Sequence, residues 1–300
     1  MSVPLHPLRV AAAPISWGVC EVPGWGHVLE ARTVLSEMTA LGLNATEFGP
    51  PGYLPAEPRE LRELLSPYGI APIGGFLALP LHTAPGAALA AARRSAALFA
   101  ATGAEVLVLA AATGLDGYDS RPVLSEHEWR TLIDTAATIR DIATEHGLRA
   151  VLHPHVGTHV ETETDVERLL ADSDLDICLD TGHLLIGGSD PVALARRHAD
   201  RIGHIHLKDV RNALADEIRG GRMEYSQAVR RGLYAPLGEG DVDIESLVRC
   251  VHTAGYQGWY VIEQDTALAP GDPADGPSRD TARSLRYLAE VGAACESARI

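Results

Sequence analysis

The chain has 300 residues, of which 46% are hydrophobic, and it carries a formal net charge of −15. This acidic balance argues against nucleic acid and anionic membranes as partners, because both attract basic surfaces. No apolar run reaches the ~18 residues that a membrane-spanning helix needs, so we expect no membrane partner.

Short apolar runs alternate with segments of helical spacing along the whole chain. We predict eight strands, at Leu8–Ile15, Asn44–Phe48, Ala71–Leu79, Glu105–Ala110, Arg149–His153, Asp176–Leu179, Gly203–Leu207 and Trp259–Glu263. We predict eight helices, at Val28–Leu41, Glu57–Tyr68, Gly86–Thr102, Ser125–His146, Thr162–Ala171, Pro191–His198, Ile244–Thr253 and Ser278–Val291. Because the strands are apolar throughout, this alternation indicates a parallel sheet covered by helices.

Eight strand–helix units of about 30 residues favour closure into one barrel. We therefore predict an α/β fold, a single (β/α)8 TIM barrel domain over residues 1–300. The alternative is an open doubly wound sheet, but the Gly-x-Gly-x-x-Gly turn that usually follows its first strand is absent. Ser125 and Glu128 have the spacing of a capping box at a helix start.

Ionisable side chains stand at the ends of the last four predicted strands, and active sites of such barrels lie at these carboxyl ends. The side chains are His153 and His155, then Asp180 and His183, then His204, His206 and Lys208, then Glu263. Because side chains alternate between the two faces of a strand, four neighbouring strands can direct four ligands to one point. A mixed His, Asp and Glu set suits Mn²⁺, Fe²⁺, Co²⁺ or Zn²⁺ better than Ca²⁺.

Each of these residues, taken singly, also has an ordinary structural explanation. A histidine at a strand end is commonly hydrogen-bonded, Asp180 before Thr181 has the position of a helix N-cap, and Glu263 could pair with a helix. Burying four such groups together is costly without a counter-charge, which favours a divalent metal site.

At these residues the chain resembles the xylose isomerase-like barrel superfamily of sugar isomerases, epimerases and dehydratases. The resemblance implies that Asp180 of the Leu-Asp-Thr-x-His pattern, His206 of the Gly-His-x-His strand and Glu263 bind metal. It also implies that His183 faces the substrate. The first metal ligand of the family is usually a glutamate on strand five. His153 takes that position here, and His155 stays open as the alternative.

Further segments resemble the inosose dehydratase subgroup, from about Ala11 to Asp265. They are Ala13–Val22, Thr46–Pro50, Gly74–Phe76 with Leu81–His82, His153–Thr158 and His206–Val210. The resemblance implies a lyase that dehydrates 2-keto-myo-inositol (scyllo-inosose) through an enolate in inositol catabolism. A keto-sugar isomerase or epimerase is the alternative, because it uses the same enediolate. The two-glutamate metal frame typical of epimerases is missing.

Residue chemistry suggests roles for the polar side chains of such a site. A divalent metal, Mn²⁺ or Co²⁺ with Fe²⁺ or Zn²⁺ as alternatives, would stabilise the enolate as a Lewis acid. His155 and His183 are candidates for the general base and acid, in either order, because the pKa of histidine lies near neutrality. Lys208 shares a strand face with His206 and is a candidate for stabilising an enolate oxygen. A lysine at the solvent-exposed rim is the alternative.

Four residues are candidates for holding a small polyol ketone. Glu47 ends the second strand, Trp17 and Trp25 offer apolar ring faces, and Arg211 follows the seventh strand. The segment from Asp209 to Gly240, helix-like over Met223–Leu233, is long for a connection. We expect it to form a lid or a subunit contact, and a homo-oligomer therefore stays open.

Cysteine spacing and the N-terminus bear on the compartment. Cys20, Cys178, Cys250 and Cys295 form no Cys-x-x-Cys pair, which argues against a disulfide framework or a zinc ribbon. The start of the chain is too short and too rich in proline for a signal peptide. We expect a soluble cytoplasmic protein.

Two other functional classes remain as alternatives. A phosphodiester nuclease of the endonuclease IV type shares the barrel, but it needs three metals and a basic surface, which a net charge of −15 disfavours. A non-catalytic binding protein on the same barrel would bind no metal, so metal titration would identify it.

Overall fold

The computed structural model describes residues 8–273 and 275–297, so the predicted domain limits at residues 1 and 300 lie outside the described residues. Eight parallel strands close into a barrel: β1 Arg9–Ala12, β2 Ala45–Glu47, β3 Ala71–Leu79, β4 Val106–Ala111, β5 Arg149–Leu152, β6 Asp176–Asp180, β7 Ile202–Leu207 and β10 Trp259–Ile262. Two short strands, β8 Asp209–Val210 and β9 Tyr234–Ala235, form a separate antiparallel pair. The predicted barrel fold is confirmed.

Helices surround the barrel and follow the predicted order. They are α1 Ala31–Ala40, α2 Pro58–Leu65, α3 Pro85–Thr102, α4 Glu126–Glu145, α5 Glu163–Asp172, α6 Thr181–Ile186, α7 Pro191–Arg197, α8 Asn212–Arg219, α9 Tyr225–Arg230, α10 Ile244–Thr253 and α11 Gly276–Ser297. All eight predicted helices are present with small shifts at their ends, and α9 matches the helix-like stretch of the long segment. The helices α6 and α8 were not predicted. Among the described residues, no helix combines the length and apolarity needed to cross a membrane.

The first strand ends earlier than predicted. A 3-10 helix, Pro14–Trp17, replaces the continuation of β1 to Ile15. Proline has no N–H group for the strand ladder, and its fixed φ suits the first turn of a helix. The turn is tied to the last barrel strand, because the backbone N–H of Gln264 donates to Oγ of Ser16 over 3.0 Å.

Capping boxes fix the starts of two of the helices that surround the barrel. In the predicted box of α4, Oε2 of Glu128 accepts from the backbone N–H of Ser125 over 2.7 Å, and Oγ of Ser125 accepts from Glu128 N. Thr162 and Asp165 form a second box at the start of α5. Each box satisfies backbone N–H groups that a helix start leaves unpaired.

The barrel interior has two layers. Beneath the carboxyl ends lie small apolar clusters that are separate from the main core between sheet and helices: Ala11, Ala13, Ala45, Ile73 and Val261, and Val106, Val108, Val151 and Cys178. Above them, at the carboxyl ends, the inward positions are polar. Because side chains alternate along each strand, the apolar and polar layers follow one another along the barrel axis.

Candidate metal centre and active site

Four predicted metal ligands converge at the carboxyl ends of the strands. His153 directly follows β5, Asp180 ends β6, His206 lies in β7 and Glu263 directly follows β10. Asp180 and His206 are register partners, and all four side chains are buried. Oδ2 of Asp180 lies 3.2 Å from Nε2 of His153 and 3.6 Å from Nδ1 of His206, which lies 3.3 Å from Oε2 of Glu263.

Asp180 combines the two roles that its sequence position left open. Its Oδ1 accepts from the backbone N–H groups of Gly182 and His183, over 2.9 and 2.8 Å, and so caps α6. Its Oδ2 points instead toward His153 and His206. The cap therefore orients the carboxylate and leaves one oxygen free for the metal centre.

The surroundings of His206 fit a metal ion. Its Nε2 lies 3.1 Å from Oε1 of Glu47. Its Nδ1 is buried, and within the described part of the chain it has no hydrogen-bond partner, although carboxylate oxygens of Asp180 and Glu263 lie beside it. One imidazole nitrogen and two carboxylate oxygens around one point form a donor set that divalent transition metals accept.

Two overlapping groups of donor atoms share Asp180. The atoms of Asp180, His206 and Glu263 lie within 4.8 Å of one another, as do those of His153, Asp180 and His183. His155, the alternative first ligand, is turned differently, because its Nδ1 lies 2.7 Å from the carbonyl oxygen of Val156. The geometry thus places His153 rather than His155 beside Asp180.

Electrostatic interactions in this cluster balance buried carboxylates against one buried lysine. Burial opposes the ionisation of Asp180, but the charge of Lys208 holds its pKa well below the ordinary value. Burial also opposes the ionisation of Glu263, yet His206 and Lys208 lower its pKa to about 2. Burial disfavours the charged form of Lys208, but Asp180, Asp265 and Glu263 raise its pKa well above the ordinary value. These groups are therefore ionised at neutral pH.

Lys208 lies inside the site and not at the solvent-exposed rim, since its side chain is 3% exposed. Its Nζ lies 2.9 Å from each of Glu263 Oε2, Asp265 Oδ1 and His183 Nε2. The rim alternative is therefore wrong. Because carboxylates surround it, the ammonium group is fixed in position and can donate to an oxygen atom of a ligand.

The rings of His155 and His183 are stacked. A cavity lies above the metal centre, and only one of the two rings reaches it. Their ring centroids are 3.7 Å apart, and both are buried. Burial first, then a neighbouring histidine and Lys208, hold both pKa values well below the ordinary value. His155 lines the cavity, whereas His183 is not among the lining residues and contacts Lys208 instead.

The cavity has a polar and an apolar part. The polar lining residues are Glu21, Glu47, His153, His155, His206, Lys208, Glu263 and Asp265. The apolar and aromatic lining residues include Pro14, Ile15, Val19, Trp25, Phe76, Tyr118 and Tyr225. A ligand in this cavity would meet charged groups on one side and ring or aliphatic surfaces on another.

Two residues predicted to bind substrate, Trp17 and Arg211, do not line this cavity. The 3-10 turn buries Trp17 completely, and its indole N–H donates to Oε2 of Glu37 over 2.7 Å. Arg211 is exposed, and its guanidinium donates to the carbonyl oxygen of Tyr234 over 3.3 Å. Trp25, the other tryptophan considered, does line the cavity.

Sequence reasoning missed several polar residues of the cavity, among them Asp265 and Tyr225. Oδ2 of Asp265 accepts from the hydroxyl of Tyr225 over 2.6 Å, and that hydroxyl lies 3.0 Å from the hydroxyl of Tyr234. Burial raises the pKa of Asp265 although Lys208 opposes this. Asp265 follows Glu263 by two positions, and this spacing was the available signal.

Tyr118, in the loop after β4, covers His155. The two ring centroids are 4.5 Å apart, and the hydroxyl of Tyr118 donates to Glu21. Gly157 has a φ of 74°, and a Cβ at this position would collide with the backbone of Tyr118, so a glycine allows the two loops to meet. This loop carries no periodic pattern from which the contact could have been predicted.

The long segment after β7 forms β8, α8, α9 and β9, and it contributes to the cavity through Tyr225 of α9. The backbone N–H of Tyr225 donates to Oδ1 of Asp119 over 2.7 Å, which joins α9 to the loop after β4.

Asp209 connects the two ends of the segment. Its carboxylate accepts from the backbone N–H groups of Val210, Gly238, Gly240 and Val242. The predicted subunit contact stays a prediction.

Comparisons with known proteins agree with the barrel fold. Residues 35–291 match the family model described as xylose isomerase-like TIM barrel. An inosose dehydratase of Geobacillus thermodenitrificans (strain NG80-2) is 32% identical over 95% of this chain and 97% of its own length. An inosose dehydratase of Lacticaseibacillus casei is 30% identical over 89% of this chain and 92% of its own. A solved structure of the IOLI protein with a zinc atom has a TM-score of 0.69 at 13% identity, over 94% of this chain and 98% of that one.

Proposed function

The chain belongs to the xylose isomerase-like TIM barrel family, and on this premise we propose that it is a metal-dependent dehydratase of scyllo-inosose (2-keto-myo-inositol), a lyase of inositol catabolism. One observation carries the proposal: His153, Asp180, His206 and Glu263 meet beneath a cavity that Lys208 and His155 also line. The curated relatives named inosose dehydratase support this substrate.

The four converging residues would hold one divalent ion, Mn²⁺ or Co²⁺ with Fe²⁺ or Zn²⁺ as alternatives. When bound, the ion supplies Lewis-acid stabilisation of an enolate, worth several kcal/mol. A set of two imidazoles and two carboxylates is compatible with each of these metals. The zinc atom in the IOLI structure belongs to a protein that shares the fold.

His155 is our candidate for the base that removes the proton next to the carbonyl. Its Nδ1 lies 2.7 Å from the carbonyl oxygen of Val156, so Nδ1 carries the hydrogen and Nε2 keeps its lone pair. Lys208, with three carboxylates and His183 around it, donates from a fixed position to a substrate oxygen. His183 acts on the cavity through Lys208.

The charge of the cavity favours an uncharged substrate. Among its described lining residues, Lys208 is the one lysine or arginine, whereas Glu21, Glu47, Glu263 and Asp265 also line it. A phosphorylated or carboxylated ketone would find no arginine or second lysine to pair with, and its charge would be repelled. A neutral polyol ketone avoids this repulsion.

The apolar lining suits a cyclic polyol. A cyclohexanone with equatorial hydroxyl groups presents C–H groups on its ring faces. Trp25, Phe76 and Ile15 offer aromatic and aliphatic surfaces for such faces, while the polar lining receives the hydroxyl groups.

The experiment is incubation of the purified protein with scyllo-inosose and each of Mn²⁺, Co²⁺, Fe²⁺ and Zn²⁺ in D₂O. Diketone formation, followed by ultraviolet absorbance and NMR, is the expected result, and Asp180→Asn should abolish it. Arg211→Ala, outside the cavity, is the matched control and should retain activity. Deuterium incorporation without loss of water would instead indicate an isomerase or epimerase, and no reaction with any metal would overturn the proposal.

A further inference from the structure

Beside the metal centre, one oxygen atom of Glu47 accepts hydrogen bonds from two histidines. Its Oε1 lies 3.1 Å from Nε2 of His206 and 2.8 Å from Nε2 of His204. The side chains of His204, His206 and Glu47 are 0%, 1% and 3% exposed. The carboxylate thus joins the end of β2 to two inward-facing positions of β7, across the barrel interior.

This contact fixes which nitrogen of His206 carries the hydrogen. An ionised carboxylate only accepts hydrogen bonds, so Nε2 of His206 is the donor. In a neutral imidazole, Nδ1 then keeps its lone pair. Nδ1 is the atom that lies 3.3 Å from Oε2 of Glu263 and 3.6 Å from Oδ2 of Asp180. The hydrogen bond to Glu47 therefore prepares the nitrogen that faces the other ligands.

His204 orients Glu47 from below. It donates to the same oxygen, Oε1, so two N–H groups define the direction of the carboxylate. His204 precedes His206 by two residues and therefore points to the same side of the strand. Glu47 lines the cavity, but His204 does not. A substitution of His204 therefore cannot remove a contact with substrate, so it tests the role in metal binding alone.

We propose that Glu47 and His204 are positioning residues of the metal centre: His204 orients Glu47, and Glu47 holds His206 in the tautomer and ring orientation that bind the ion. The inference rests on the proposed metal site. From its position in the sequence, Glu47 was a candidate for binding the substrate. The inference assigns Glu47 a role in metal affinity instead. Partners of this kind typically contribute 10–100-fold to metal affinity or activity.

The test compares Glu47→Gln and His204→Gln with the wild-type protein. Metal affinity is measured by calorimetric titration with Co²⁺ and Mn²⁺, ligand geometry by the visible spectrum of the Co²⁺ form, and KM and kcat at saturating metal. We expect both variants to bind metal about 10–100-fold more weakly, with a changed Co²⁺ spectrum and a nearly unchanged KM. Glu47→Asp, which keeps the charge but shortens the reach, should recover part of the affinity.

The opposite result has a distinct signature. If Glu47 acts only on substrate, Glu47→Gln will raise KM while metal affinity and the Co²⁺ spectrum stay as in the wild type, and His204→Gln will change nothing. Thermal unfolding of each variant identifies loss of fold. If His204→Gln does not fold, the metal affinity and KM of the nearly isosteric Glu47→Gln variant still distinguish the two roles.

The metal titration needs no turnover, so it separates this inference from the proposed substrate. A protein that binds metal but does not dehydrate inosose still tests the positioning role. A wild-type protein that binds none of the metals would overturn the ligand set and the positioning role together.

Discussion

Lys208 and His153 approach the same oxygen atom of Asp180: Nζ of Lys208 lies 3.3 Å and Nε2 of His153 lies 3.2 Å from Oδ2. The oxygen that would bind a metal ion is thus already in contact with a cation of the protein. Lys208 also lies 2.9 Å from Oε2 of Glu263, a second proposed ligand. The ammonium group therefore compensates carboxylates that would otherwise be buried without a counter-charge.

Lys208→Met should make stability depend on metal. The substitution leaves Asp180, Glu263 and Asp265 buried without their cation, and removal of one partner from a buried ion pair costs about 3–5 kcal/mol. Because metal binds the folded state, excess Mn²⁺ should restore part of the melting temperature. The measurement is thermal unfolding with and without chelator, and an equal loss of stability in both conditions would contradict the prediction.

Asp180→Asn and Asp180→Ala should separate the two functions of this side chain. Asparagine keeps an oxygen for the cap of α6 but loses the charge, so metal binding and activity should fall while the fold is retained. Alanine also removes the cap, which should lower the free energy of unfolding by about a further 1 kcal/mol. Urea unfolding of both metal-free variants checks the difference, and equal stabilities would show that the cap contributes little.

Tyr118 should act through its ring more than through its hydroxyl group. Tyr118→Phe keeps the contact with His155 at 4.5 Å and loses only the bond to Glu21. Tyr118→Ala loses an aromatic pair worth about 0.5–1.5 kcal/mol, so kcat/KM should fall about two- to twelvefold. Steady-state kinetics with inosose measure both variants, and a larger loss for phenylalanine than for alanine would refute this role.

Acid should destabilise the protein partly through His159. Burial first, then His82 and Arg121, lower the pKa of His159 to about 4, so the folded state keeps this histidine neutral. An unfolded histidine has a pKa of about 6.5 and binds its proton earlier. Stability should therefore be complete above pH 6.5 and decline as the pH falls toward 4.

The measurement is the urea midpoint as a function of pH for the wild type and for His159→Gln. Other buried histidines contribute to the acid sensitivity of both proteins, so the difference between the two curves isolates His159. The variant should lose less stability than the wild type between pH 6.5 and 4. Parallel curves over this range would show that His159 does not contribute.

The parts of the fold and site that follow from periodicity could be predicted from the sequence. Parallel strands bring their carboxyl ends to one edge, and side chains alternate with a period of two. These two rules were enough to place Asp180, His206 and Glu263 near one another. Asp265 follows from the same alternation but was not recognised, because its partners Tyr225 and Lys208 come from other segments.

The rest depends on local backbone turns and on loops that carry no pattern. Pro14 begins a 3-10 turn instead of extending β1, and this turn directs Trp17 toward Glu37 and away from the cavity. Arg211 bonds to carbonyl groups across the short pair of strands β8 and β9. Tyr118 reaches His155 only because two loops meet, which no single segment of sequence records.

The hydrogen bonds of Asp209 determine which part of the chain can change without opening the barrel. Because one carboxylate gathers the backbone of both ends of the segment after β7, the roughly thirty residues in between form a closed excursion from the barrel. Insertions between these two ends would leave the hydrogen-bonded ladder of the eight barrel strands intact. Exchange of α9 would replace Tyr225, so it would change both the wall of the cavity and the hydrogen bond that Asp265 receives beside Lys208.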